Sequence, residues 1–408
     1  IADISVAELA RRYTTPFYVY DAAKILERIE DLRAFDVIRY AQKACSNLAI
    51  LDLIRRSGAL VDAVSAGEIR RALAAGYAAH GDPPPLVYTA DIFDEESFDL
   101  VRDHGIHVNA GSPDMIEQLG AVAPGRNITL RINPGFGHGH SQKTNTGGEQ
   151  SKHGIWHEQL DHCLRRVDHH GLSVTGVHMH IGSGTDLEHL AQVCGALEKA
   201  ALTVGRTVTS ISAGGGLPVP YNETQSYVDL DKYFRLWDDT RKRLEQTFQH
   251  PVRLEIEPGR YLVAESGYVV TEIRAVKRMG QNLFYLVDAG FNNLARPILY
   301  GAYHPLAIAP ADGDVHRPSQ EVVIGGPLCE SGDIFTQQEG GFVCQRELPV
   351  AGVGDYLVIG VAGAYGYVMG SNYNSKPLAA EVLIRNGQDH LIRERQTFED
   401  LVRGEIVP

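Results

Sequence analysis

The 408-residue sequence predicts an α/β fold in two parts. One is a (β/α)8, TIM-like barrel; the other is a C-terminal β-barrel or β-sandwich domain that includes the N-terminal strand. Three observations predict it. Short β-branched runs alternate with amphipathic helical stretches up to residue 264. Several of those stretches stop at Gly, as helix C-termini often do. Beyond residue 265 the rhythm changes to strands separated by Gly, Pro, Asn and Asp turns.

In chain order, PFYVYD (16–21) alternates like a strand and AAKILERIEDLRAF follows with helical spacing. The barrel strands are then VIRYAQ (37–42), LVDAVS (60–65), LVYTA (86–90), IHVNA (106–110), ITLRIN (128–133), VTGVHMHI (174–181), TSISAG (209–214) and VRLEIEP (252–258). Between them, LAILDLIRRSG, AGEIRRALAAG, PDMIEQLGAV and DLEHLAQVCGALEKAALTVG carry apolar residues three and four apart. Eight strands, each with its helix, match a barrel; a doubly wound open sheet is the alternative, because a strand count does not prove closure. The barrel is assigned to 24–264, and the β-domain to 1–23 together with 265–408. That domain reads as strands until LIRERQTFEDLVRG, which reads as a terminal helix.

Apolar residues make up 44% and charged residues 22%, an ordinary globular balance. A net charge of -13 argues against a nucleic-acid partner, since phosphate backbones need a basic surface. No apolar run approaches the roughly 20 residues of a membrane span. The opening IADISVAELARRY reads as a helix rather than a secretory signal. Cys45, Cys163, Cys194, Cys329 and Cys344 follow no regular spacing, which suits reduced thiols and a cytoplasmic protein.

Chemistry gathers at the strand ends, where barrels of this kind place their active sites. The first strand runs into YAQKA, which sets Lys43 at the mouth. Such a lysine is commonly solvated; desolvated, it becomes a Schiff-base nucleophile. Gly214, Gly215 and Gly216 follow strand seven, and Glu257, Gly259 and Arg260 follow strand eight. These two loops are the usual phosphate site of a barrel, and glycines let backbone N–H groups close on an anion. His178 and His180 share one face of HMHIGSG, but no further ligand completes a metal site, so none is expected. His180 can instead pack flat on a cofactor ring, with Ser183 donating to a phosphate.

The segments YAQKACSN, DAVSAGEI, RINPGFGHGHSQKTNTGGEQSKHGI, HMHIGSG, AGGGL, EPGR, RPILYGAYH, GPLCESGD, GAYG and SNYNSKP together resemble the diaminopimelate decarboxylases, within the alanine-racemase-like (fold type III) pyridoxal-phosphate enzymes. The match spans nearly the whole chain in the family's order. The resemblance implies a pyridoxal 5'-phosphate carried by Lys43, with Glu257 facing its ring nitrogen and His180 stacked on the ring. It implies that Ser183, Gly215, Gly216, Arg260 and Tyr365 hold the phosphate end, and that Gly259 is a further cofactor-binding residue. Arg260, Arg296, Tyr300, Glu330 and Tyr365 are then the substrate-binding residues, and Cys329 the proton donor. Asp62 and Glu68 match acidic support positions. The implied reaction is decarboxylation of meso-2,6-diaminopimelate at its D-centre to L-lysine and CO2, the last step of lysine biosynthesis. It is implied to run in a homodimer whose sites receive Cys329 and Glu330 from the second subunit.

The nearest alternatives are decarboxylases of ornithine, arginine or carboxynorspermidine, then an amino-acid racemase of the same fold. A non-catalytic pyridoxal-phosphate carrier would not need the β-domain's Cys, Glu and Tyr. A Rossmann dehydrogenase is disfavoured because AGGGLP lacks the G-x-G-x-x-G spacing. The Gly-rich stretch 135–148 reads either as a surface loop or as a lid over the strand ends.

Overall fold

The computed structural model describes residues 1–137, 146–180, 186–338 and 340–408. They form two compact units, one of residues 26–218 and 227–262, the other of residues 1–25, 219–226 and 263–408. The short excursion 219–226 joins the β-rich unit although it lies between two barrel elements in sequence.

The chain opens with helix α1 (Val6–Tyr13), strand β1 (Phe17–Asp21) and helix α2 (Ala22–Glu30). The first unit then alternates β2 (Val37–Ala41), α3 (Leu48–Arg56), β3 (Leu60–Ala63), α4 (Ala66–Ala74), β4 (Leu86–Ala90), α5 (Glu95–His104), β5 (His107–Ala110), α6 (Pro113–Val122) and β6 (Asn127–Asn133). It continues through the two-residue β7 (Ile155–Trp156), α7 (Leu160–His169), β8 (Ser173–His178), α8 (Leu187–Val204), β9 (Ser210–Ser212), α9 (Leu230–Phe248) and β10 (Arg253–Ile256). Every pairing among β2–β6 and β8–β10 is parallel, and β10 pairs with both β9 and β2. That last pairing closes the ring. The unit is an eight-stranded barrel, not an open doubly wound sheet.

Local chemistry supports six of the helix starts. The side chains of Asn47, Ser65, Asp94, Ser112, Asp186 and Asp229 each accept a first-turn N–H, satisfying donors that would otherwise lack an intrahelical partner. Helix α5 ends on Gly105 at φ +65°, a left-handed cap that glycine adopts without strain.

Along the strands, Ile38, Tyr40, Val61, Leu130, Leu254 and Ile256 are buried apolar residues. Several alternate positions are polar and pair between neighbouring strands. Arg39 Nη2 meets Glu255 Oε2 at 2.8 Å, Asn109 Nδ2 donates to Thr89 Oγ1 at 2.8 Å, and His107 Nε2 bonds Thr129 Oγ1 at 2.9 Å. Branched apolar side chains usually fill such an interior; here hydrogen-bonded pairs do. A cavity of about 490 Å³ enters from the N-terminal strand ends, past His107, Asn127 and Arg253, and reaches Ser212 and Glu257.

The β-rich unit follows the four-residue helix α10 (Arg260–Val263). It comprises β11 (Gly267–Met279), β12 (Asn282–Val287), α11 (Arg296–Tyr300), β13 (Leu306–Ala309), β14 (Ser319–Gly325), β15 (Arg346–Pro349), β16 (Tyr356–Ile359), β17 (Ala380–Arg385), β18 (Gln388–Arg393) and α12 (Phe398–Leu401). Its sheet runs β15-β14-β12-β11-β1-β17-β18, with β16 pairing β11 and β13. Strand β1 is antiparallel to β11 and parallel to β17. Leu9, Phe17, Val19, Val270, Val382 and Ile384 pack as one core there.

One expected element differs. The stretch 391–404, read as a helix, begins instead as the last residues of β18, and only Phe398–Leu401 is helical. The reason is the turn before it. Asn386 and Gly387 adopt φ +53° and +72°, the positive pair an Asn-Gly hairpin turn requires, and β18 folds back antiparallel on β17.

Candidate active site

Because the barrel strands are parallel, the residues leaving their C-terminal ends share one rim. Lys43 lies there, in a 3₁₀ turn (Gln42–Ala44) directly after β2. It is exposed at the rim, open to approach from solvent.

Glu257, just past β10, is buried, as is His178 at the end of β8. His178 Nε2 and Glu257 Oε2 are 2.7 Å apart, and Ser212 Oγ donates to Glu257 Oε1 at 2.9 Å. Ser212 is itself oriented by the Gly214 N–H, 3.1 Å from its Oγ. Burial alone would raise the Glu257 carboxyl, but His178, Arg39 and Ser212 outweigh it and hold the group well below its ordinary range. Glu257 is therefore an anion at the barrel's centre.

His180 is two residues beyond His178, and its Nδ1 accepts the Gly215 N–H at 3.0 Å. Burial, then Lys43 and Arg131, push its imidazole well below its ordinary value, so the ring is neutral. A neutral flat ring suits stacking better than ion pairing. Gly215 must be glycine: a Cβ there would lie 2.5 Å from the Glu257 carbonyl oxygen. Its N–H points at His180 rather than outward.

Asp62 on β3 is buried and driven upward, first by desolvation and next by the charge of Glu257. Its Oδ1, Gln42 Oε1 and His178 Nδ1 have no hydrogen-bond partner among the described residues. Gln42 Nε2 donates to the backbone carbonyls of Asp62 and Glu68 at 3.3 and 3.1 Å. Glu68 serves locally, its Oε2 accepting the Val64 N–H at 2.9 Å. An accessible amine, a buried carboxylate anion, a neutral imidazole and unpaired polar atoms at one rim fit a flat pyridine ring bearing an aldehyde and a phosphate. Pyridoxal phosphate is such a group.

Ser183 lies outside the described residues, as do residues 138–145 of the 135–148 stretch. What leads into and out of that stretch is anchored at one point. Asn133 Oδ1 accepts the N–H groups of Gly135 and Gly148, and its Nδ2 donates to the carbonyls of Gly148 and His153. Among the described residues no cluster of three His, Cys, Asp or Glu could hold a metal ion, and His178 is committed to Glu257.

In the β-rich unit, Arg296 opens α11 and is buried. Its Nη1 meets His304 Nε2 at 3.0 Å, and its guanidinium lies 4.7 Å from the centroid of the Tyr221 ring. Guanidinium only donates, so His304 accepts at Nε2 and donates from Nδ1 to the Gly360 carbonyl at 2.9 Å. Tyr300 ends the same helix and is half-buried.

Cys329 and Glu330 are exposed on the loop before Asp333. That loop is tied inward: Asp333 takes the N–H groups of Phe291 and Leu328, each at 2.8 Å, and Cys329 N–H donates to Asn374 Oδ1 at 2.7 Å. Gly326 is required here, since a Cβ would lie 2.2 Å from Asp333 Oδ2. Tyr365 holds φ +58°, a left-handed conformation uncommon outside glycine.

Sequence reasoning assigned no role to His178, Ser212, Arg131 or His304. The period-two spacing of His178 and His180 was the available signal for the first. Ser212 reaches Glu257 only when β9 and β10 lie side by side.

Residues 22–264 match the family described as pyridoxal-dependent decarboxylase, pyridoxal binding domain. The diaminopimelate decarboxylase of Escherichia coli (strain K12) is 53% identical over 405 residues, covering 99% of this chain and 96% of that one. A crystal structure of a diaminopimelate decarboxylase superposes with a TM-score of 0.95 at 54% identity, over 98% of this chain and 95% of the other. The Helicobacter pylori diaminopimelate decarboxylase complexed with L-lysine gives a TM-score of 0.86 at 30% identity, over 97% and 98%. With these matches running almost end to end, the chain belongs to the diaminopimelate decarboxylase family of pyridoxal-dependent decarboxylases.

Proposed function

We propose that this protein removes the carboxylate from the D-centre of meso-2,6-diaminopimelate, giving L-lysine and CO2, as the last step of lysine biosynthesis. One observation carries the reading furthest: a buried carboxylate, Glu257, kept anionic at the rim where Lys43 stands exposed. Pyridoxal phosphate, when bound, supplies the electron sink for the pair left by the departing carboxylate.

The chain's own residues serve that sink. Lys43 would hold the cofactor covalently. Glu257 would keep a proton on the ring nitrogen, and His180 would lie against the ring. Ser183, Gly215, Gly216, Arg260 and Tyr365 would take the phosphate end, and Gly259 would also line the cofactor. Arg260 and Tyr365 also touch substrate. Arg296 takes a carboxylate of the substrate, helped by Tyr300, while Glu330 takes an ammonium. Cys329 delivers a proton to the carbon that lost its carboxylate.

The exposure of Cys329 and Glu330 in a single chain supports a homodimer in which each copy completes the other's site. Five free cysteines suit the cytoplasm, and among the described residues no helix is long and apolar enough to cross a membrane.

The test is CO2 release from a panel of meso-diaminopimelate, ornithine, arginine and carboxynorspermidine. Release from the first alone is expected; comparable release from ornithine or arginine would overturn the substrate assignment.

A further inference from the structure

Glu255 and Glu257 stand two residues apart, on consecutive layers of the same barrel interior, and they are treated differently. Glu255 is neutralised by a cation, with Arg39 Nε and Nη2 on its Oε2 at 3.2 and 2.8 Å. Glu257 instead receives a hydroxyl on one oxygen and an imidazole on the other. An ionised carboxylate only accepts hydrogen bonds, so His178 donates from Nε2. Its Nδ1 is buried with no partner among the described residues. A hydroxyl donor on one oxygen and an imidazole N–H on the other fix the plane of the Glu257 carboxylate. The surrounding ionisable groups are Lys43 and Asp62 at the rim, His180 on the same strand end, and Arg39 and Arg131 within the barrel.

We propose that His178 is a positioning residue: its Nε2–H bond to Glu257 fixes the orientation and negative charge with which that carboxylate meets the cofactor's ring nitrogen. This rests on the cofactor reading above and goes beyond it by naming what sets the carboxylate's state. Burial would otherwise favour the neutral acid, which offers the ring nitrogen no anion to hold its proton. His178 touches neither cofactor nor substrate in this scheme, and acts only through Glu257.

The experiment uses holoenzyme loaded with pyridoxal phosphate carrying ¹⁵N in the ring, and reads the ring-nitrogen chemical shift. Wild type is expected at the protonated value. His178→Asn, whose short amide cannot reach where Nε2 was, is expected to move the shift toward the unprotonated value. His178→Gln places an N–H donor near the Nε2 position and is expected to restore most of the wild-type shift. Ser212→Ala removes the donor on the other oxygen and is expected to move the shift in the same direction as Asn. Turnover is expected to follow, kcat falling roughly ten- to hundredfold in His178→Asn with KM nearly unchanged, as for a lost hydrogen bond to a charged group.

A wild-type shift in folded, cofactor-loaded His178→Asn overturns the proposal, and so does an equal displacement in Asn and Gln. Should His178→Asn not fold, the Gln and Ser212→Ala variants decide: no displacement in Ser212→Ala, or full displacement in Gln, also overturns it. Absence of any bound cofactor in wild type would instead defeat the underlying functional reading, and the visible absorbance shows that before any variant is made.

Discussion

Asp62 and Glu257 are buried carboxyls of one barrel driven in opposite directions, Glu257 downward by its hydrogen-bond donors and Asp62 upward by desolvation and by the charge of Glu257 itself. The signs give a stability prediction. For Asp62, the native state keeps a proton that the unfolded chain loses above its ordinary value of 3.8. Stability therefore falls as pH rises from there toward the raised native value. For Glu257 the contribution is fully present above 4.5 and is lost as pH falls toward the lowered native value. Asp62→Asn cannot ionise, so cofactor-free protein should lose much of the downward slope between pH 3.8 and about 8. Thermal melts across a pH series measure it; an unchanged slope in Asp62→Asn would show that Asp62 is not protonated in the fold.

Lys43→Ala should abolish turnover and remove the covalently bound cofactor. Borohydride treatment followed by peptide mapping checks the attachment in the parent enzyme. A visible cofactor band that survives both the substitution and dialysis would remove Lys43 from its role.

Cys329→Ala should load cofactor normally and turn over slowly, because the residue lies on a loop whose anchors, Asp333 and Asn374, are untouched. If Cys329 serves the other copy's site, inactive Lys43→Ala and slow Cys329→Ala proteins should complement when subunits are exchanged. Random re-pairing in a two-fold dimer restores about a quarter of wild-type activity. A mixture that stays inactive after verified exchange contradicts sharing between copies.

Arg296→Ala should lower kcat/KM for diaminopimelate roughly ten- to hundredfold, the range for losing a charge-assisted bond. Arg296→Lys should not restore it, since the guanidinium is held by both His304 and the Tyr221 ring and an ammonium cannot match that planar geometry. Steady-state kinetics decide; near-wild-type values for the lysine variant would reduce Arg296 to a generic positive charge.

Barrel architecture was legible because most strands and helices carry their own period and most helices a cap, and the rim glycines and Glu257 sit within local motifs. What surrounds Glu257 was not, because Ser212 and His178 reach it only when β8, β9 and β10 lie side by side. The Arg296 contacts share that difficulty: Tyr221 comes from a segment between two barrel elements, and nothing in VPYNETQS marks it as part of the β-rich unit. The misread end of the chain had a local signal after all, the Asn386-Gly387 pair, outweighed by the helical look of LIRERQTFEDL.

The placement of β1 bears on how this chain comes to be folded. Its hydrogen-bonding neighbours, β11 and β17, are encoded after the entire barrel. During synthesis the barrel strands can pair with near neighbours as they emerge, while Phe17–Asp21 waits with both edges bare for partners most of a chain-length away. Distant pairing is slow, and bare strand edges are prone to aggregation. Truncation from the C-terminal end should thus harm the first strand as much as the last.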